Sequence, residues 1–67
     1  MTYDDIDKKI ISYLNARPQG AIIQNFVDDL NYHRFTIQKR LLRLMIDDMV
    51  EEIIYSQNVK VYRLKLG

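Results

Sequence analysis

Two apolar spacings separated by three residues restrict the fold of this 67-residue chain more than any other feature. Ile23, Phe26, Val27 and Leu30 recur at i, i+3, i+4 and i+7, which predicts a short amphipathic helix over about 23–30. Ile37, Leu41 and Leu44 continue a helical spacing and predict a longer helix over about 33–48. Between them stands "NYH". Asn31 tolerates the left-handed conformation that ends a helix, and His33 or its neighbour starts the next one. So short a link makes the two helices pack at an angle and share one core.

The remaining segments complete a small α+β domain. Ile6, Ile10, Tyr13 and Leu14 predict a first helix over about 3–15, with Asp4, Asp5 and Asp7 at its positive end. "NARPQG" stops it, because Pro18 disfavours helix at Arg17 and Gly20 supplies a turn. Ala21 and Ile22 are placed to make one or two bridges to a sheet. From Glu52 the texture becomes β-branched and aromatic, predicting a hairpin over about 53–66 with Gln57 and Asn58 at its tip. Tyr62, Leu64 and Leu66 share one face of its second strand; Val61, Arg63 and Lys65 share the other. Residues 1–67 therefore form one domain, too short for a second core.

The net charge of +1 conceals a segregated distribution. "HRFTIQKRLLRL", residues 33–44, carries Arg34, Lys39, Arg40 and Arg43 with no acid. Asp47, Asp48, Glu51 and Glu52 follow at once, and Lys60, Arg63 and Lys65 make the end of the chain basic again. A nearly neutral molecule can thus present a basic face. With no cysteine there is neither a disulfide framework nor a thiolate metal site. No apolar run reaches the length of a spanning helix, and "MTYDDIDKK" lacks the pattern of a signal peptide, so the expectation is a cytoplasmic protein without a membrane partner.

The order of helix, bridge, helix, turn, helix and hairpin resembles the winged helix-turn-helix fold over essentially the whole chain. "DDIDKKIISYL" looks like the opening helix of the leucine-responsive (feast/famine) regulators, and "TIQKRLLRL" looks like their recognition helix. "VYRLK" is similar to the last wing strand of PadR-like and MarR-like regulators. The chain carries Asn31 and Met49 where such proteins usually have Gly. The resemblance implies a transcriptional regulator that binds double-stranded DNA, with the third helix in the major groove and the hairpin on the flanking backbone. It further implies a homodimer on a palindromic site with half-sites about one helical turn apart. No small-molecule effector domain and no cofactor are expected, and a DNA-binding protein of this kind is expected on the nucleoid.

At about 100° per residue, Ile37, Leu41 and Leu44 cluster on the inward arc of the third helix. Arg34, Phe35, Gln38, Lys39 and Leu42 occupy the outward arc and are the candidate base-contacting residues. Arg and Lys suit guanine, Gln suits adenine, and apolar side chains suit the thymine methyl. Thr36, Arg40 and Arg43, with Asn58, Lys60 and Arg63 on the hairpin, are the candidate phosphate contacts, which hold register without reading sequence.

Phe35 and Leu42 form, with Ile46 and Met49, a second apolar stripe opposite the first. Ile46 and Met49 are expected beneath the hairpin or against the first helix, or else in a protein interface along the third helix such as a dimer contact. Tyr3 and Ile11 are candidates for a contact with a second copy. The alternative use of Phe35, Leu42 and the hairpin is a protein-binding module, an accessory factor or inhibitor of transcription or replication machinery; a nonspecific architectural DNA binder is a third reading. Enzymatic chemistry finds no support. The lone His33 has no nucleophile to activate, no glycine-rich phosphate loop exists, and the acidic pairs lack calcium-loop spacing.

Overall fold

The backbone turns left-handed at Asn31, with φ 65° and ψ 34°, and its N–H donates to Val27 O at 3.1 Å. This closes α2 (Ile23–Leu30) and opens α3 (Arg34–Ile46) three residues later, as the "NYH" break predicts. The computed structural model describes residues 3–65. Its other elements are α1 (Asp5–Asn15), β1 (Val50–Ser56) and β2 (Val59–Leu64). The architecture is α+β, three helices followed by a two-stranded antiparallel hairpin.

α1 starts two residues later than its periodicity suggests because Asp4 is extended (φ −70°, ψ 168°) and its backbone N–H donates to Asp7 Oδ2 at 3.1 Å. A similar device opens α2, where Asn25 Oδ1 accepts from Ile22 N at 3.1 Å. Both side chains satisfy a backbone donor that the first helical turn leaves free.

α3 ends at Ile46 rather than 48, and the cause is Asp48. Asp48 is left-handed (φ 67°), its N–H donates to Met45 O at 3.1 Å, and Met49 N donates to Leu44 O at 2.9 Å. These two bonds form a Schellman ending with Asp48 at the position usually given to glycine. The left-handed residue thus stands one place before Met49. The ending leads the chain away on the Leu44 side of α3. Ile46, about 160° round the helix from Leu44, is left 76% exposed. The expectation that Ile46 lies under the hairpin or α1 is therefore corrected, whereas Met49 does pack against the core.

β1 begins at Val50, earlier than the apolar texture after Glu52 suggests, because Val50, Glu51 and Glu52 already pair with Leu64, Arg63 and Tyr62. Gln57 and Asn58 form the turn, and the register shifts between Ile54 and Ser56, leaving Tyr55 as an extra residue in β1. Tyr62 is buried, Leu64 half-buried and Arg63 exposed, in keeping with the expected alternation; Leu66 lies outside the described residues.

The far edge of β2 is closed by the stretch before α2. Ala21 and Tyr62 exchange backbone hydrogen bonds of 2.8 Å in each direction. Gly20 makes this approach possible. Its φ is +92°, and a Cβ there would stand 2.6 Å from Val61 Cγ1 and 2.7 Å from Tyr62 O. Only glycine fits both demands.

The core joins all five elements: Ile10 and Leu14 of α1, Phe26 of α2, Ile37, Leu41 and Leu44 of α3, Val50 and Tyr62 of the hairpin, with Ala21. Burying a side chain such as Phe26 is worth about 1.5–3 kcal/mol, and partly buried side chains such as Ile6, Val27 and Leu30 pack around this cluster. Tyr3 and Ile11 pack partly against the same core. Among the described residues no helix is long and apolar enough to cross a membrane.

Candidate nucleic-acid interface

Packing Ile37, Leu41 and Leu44 inward fixes which residues α3 turns outward. Arg34, Phe35, Gln38, Lys39 and Leu42 are all exposed, Phe35 at 69% and Leu42 at 56%. The outward arc is thus as its helical spacing predicts. What the spacing does not show is that it is divided between two hollows.

The larger hollow is an open groove of about 570 Å³ between α3 and the hairpin. Arg34, Gln38, Leu42 and Met45 form its α3 wall, and Glu52, Tyr62 and residues 57–60 form the opposite side. Ile22, Ile23 and Gln24, at the start of α2, close one end. Arg34, Gln38 and Leu42 are therefore brought together with Asn58 and Lys60. The second hollow, about 480 Å³, is lined by Phe35, Thr36, Lys39, Arg40 and Arg43. Arg63 lines neither and pairs with Glu51 at 2.7 Å.

The cations of these surfaces differ in what already holds them. Arg40 is spoken for by α1, with Nη1 2.8 Å from Asp4 Oδ2 and 3.5 Å from Asp7 Oδ2. Its assignment as a phosphate contact competes with that bond, since Asp7 is completely buried. Lys39 stands 5.5 Å above the Phe35 ring, a cation–π arrangement that leaves its charge uncompensated. Lys60 is exposed, and neither it nor Lys39 enters an ion pair closer than 4.0 Å among the described residues. Arg34 Nη2 donates to Gln24 Oε1 at 2.7 Å.

Glu52 is the acid of the groove, and Tyr62 Oη donates to its Oε2 at 2.9 Å. Burial, together with this bond and the nearby negative charge, pushes the Tyr62 phenol up to about 12. The phenol therefore stays a donor through the neutral range and holds the carboxylate against the hairpin.

His33 is the N-cap residue of α3 by backbone, extended at φ −64° and ψ 146°, and its side chain makes no capping bond. Several groove residues, among them Ile22, Ile23, Met45 and Tyr62, were not candidates from the sequence, and two of the polar ones bear on the chemistry. Gln24 and Glu52 line the groove although neither lies on α3 or at the hairpin tip. Gln24, one residue into α2, was within reach of a pattern argument because the first turn of that helix abuts α3. Glu52 had no signal beyond its charge. No known protein-family model matches the chain, and no curated protein matches it either.

Proposed function

We propose that this protein is a small winged helix-turn-helix DNA-binding protein, a transcriptional regulator that sets α3 in the major groove and the β1–β2 hairpin on the flanking backbone. The observation that carries the reading is the groove itself, in which Arg34, Gln38 and Leu42 face Asn58 and Lys60 across about 570 Å³ of open space. Those residue types are a base-reading set on a helix and a backbone-contacting set on a hairpin tip. Lys39 and Lys60 contribute uncompensated positive charge.

Selection from a random duplex pool, followed by binding measurements with Lys39→Glu/Lys60→Glu, tests it. Enrichment of a defined sequence by the wild-type chain and loss of binding by a variant that still melts cooperatively support the reading. With about five phosphates neutralised, log K should fall against log salt with a slope of about −4.5. Unchanged mobility shifts for the double variant would sink it. A palindromic consensus would indicate that a homodimer binds.

A second reading rests on a different observation, the exposed apolar side chains Phe35, Leu42 and Ile46 along α3. Exposed apolar side chains in a row along one helix suit a protein partner. Phe35→Ser/Leu42→Ser separates the two, since it abolishes capture of a protein partner but leaves salt-dependent duplex binding in place if the second reading holds.

A further inference from the structure

Gln24 and Asp28 sit one helical turn apart on α2, and Gln24 Nε2 donates to Asp28 Oδ1 at 2.9 Å. An ionised carboxylate only accepts, so this bond commits the nitrogen of the Gln24 amide to Asp28. Gln24 Oε1 is thereby left for Arg34 Nη2, 2.7 Å away. The relay Asp28–Gln24–Arg34 runs from α2 across to the first residue of α3, and its last two members lie on the groove.

The chemistry of the acceptor matters. Arg40 and Arg63 are held by carboxylates, which orient a guanidinium and neutralise it together. Arg34 is held by a neutral amide oxygen and enters no ion pair among the described residues. Its charge is retained, and because Gln24 accepts from only one of the two Nη2 hydrogens, a fork that pairs the other with a neighbouring N–H stays open. Orientation without neutralisation is what an arginine needs to donate two parallel bonds to a base edge, and guanine, with O6 and N7, is the base that accepts them.

Resting on the DNA-binding reading, we infer that Gln24 is a positioning residue for Arg34, which reads one guanine of the bound sequence, and that Asp28 sets the orientation of the Gln24 amide. Without Gln24 the guanidinium keeps its charge and its attraction for DNA but must be ordered on binding. Sequence discrimination at one base pair is reduced while the electrostatic part of affinity stays.

Random-pool selection on wild type, Arg34→Ala, Gln24→Ala, Gln24→Glu and Asp28→Asn tests this, with side-chain 15N relaxation of Arg34 Nε measured in the free proteins. Arg34→Ala should lose its preference for one guanine by about fivefold or more. Gln24→Ala should lose part of the same preference, about threefold, at that position alone and with an unchanged salt slope. Asp28→Asn should reproduce part of this loss. Gln24→Glu, whose carboxylate accepts from Arg34 but neutralises it and offers no donor to Asp28, should weaken binding to every duplex without restoring the preference. Arg34 Nε should be ordered in the wild type and mobile in Gln24→Ala. If Gln24→Ala keeps the wild-type base preferences while Arg34→Ala loses its guanine, the positioning role is overturned and the DNA-binding reading stands. If the wild type enriches no sequence, that reading fails and the guanine assignment with it. Relaxation that does not change on Gln24→Ala overturns the relay whatever the duplex results.

Discussion

Arg40 reaches from α3 to within 3.5 Å of Asp7, whose carboxylate has no exposed surface and whose Oδ1 has no hydrogen-bond partner. A buried acid on α1 is thereby compensated by a cation that the exposed arc of α3 would otherwise claim. Removing the cation strands the acid, which is costlier than removing both. Arg40→Ala should therefore destabilise the domain by about 3–5 kcal/mol, read from urea unfolding. Asp7→Leu/Arg40→Met should recover most of that. A loss below about 1 kcal/mol in the single variant, typical of an exposed pair, would show that the contact is not integral to the fold.

The Tyr62 phenol is held up to about 12, first by burial and then by its bond to Glu52 and the charge there. In the unfolded chain it titrates near 10. Between these values the folded state binds the proton that the unfolded state has released. Stability from this group is therefore complete below pH 10 and is lost as pH rises toward 12. Burial and a carboxylate partner also raise Tyr3 and Tyr13, so absorbance titration at 295 nm should find several late-ionising tyrosines, and Glu52→Gln should bring down part of the way the one phase that Tyr62→Phe removes. No response of that phase to Glu52→Gln would remove Glu52 from the account.

Gly20 combines a positive φ with a contact that a Cβ cannot share. Gly20→Ala should cost about 1–3 kcal/mol, and the loss should be accompanied by faster amide exchange at Ala21 and Tyr62, whose mutual bonds the intruding methyl pushes apart. If exchange at these two amides is unchanged, the close approach is not what Gly20 protects.

Asn31 holds the left-handed position between α2 and α3. Asn31→Ala should lower stability by about 1 kcal/mol, whereas Asn31→Gly should be neutral or slightly stabilising. Thermal melts of the two variants distinguish this backbone effect from a side-chain role, which would make glycine as damaging as alanine.

The parts of the fold that depend on local spacing were readable from the chain. Ile37, Leu41 and Leu44 declare the buried side of α3, Asn31 declares the turn, and Gln57 and Asn58 declare the hairpin tip. What escaped depends on residues far apart in sequence. Nothing near Arg40 indicates that it turns back to Asp4 and Asp7, so its helical position alone suggests a free cation. The early start of β1 is masked by Glu51 and Glu52, acids that strands disfavour but that here pair with Arg63 and the Tyr62 hydroxyl. Ile46 follows from a backbone event, the left-handed Asp48, rather than from apolar periodicity. The site divides in the same way. Its α3 wall is legible, while the Gln24 end and the Glu52 side exist only once three elements meet.

The Ala21–Tyr62 bridge also has a bearing on the order in which the molecule can form. Ala21 lies between the first two helices, yet its backbone partner arrives only after roughly 40 further residues. A nascent chain leaving the ribosome can wind its helices early and bring Phe26 toward Ile37, but one side of that assembly has no lid until β2 emerges. Completion of the core thus waits on β2, which brings Tyr62 to Ala21. Helices without that strand would leave the core of Ile10, Leu14 and Leu44 short of the cover that Tyr62 supplies.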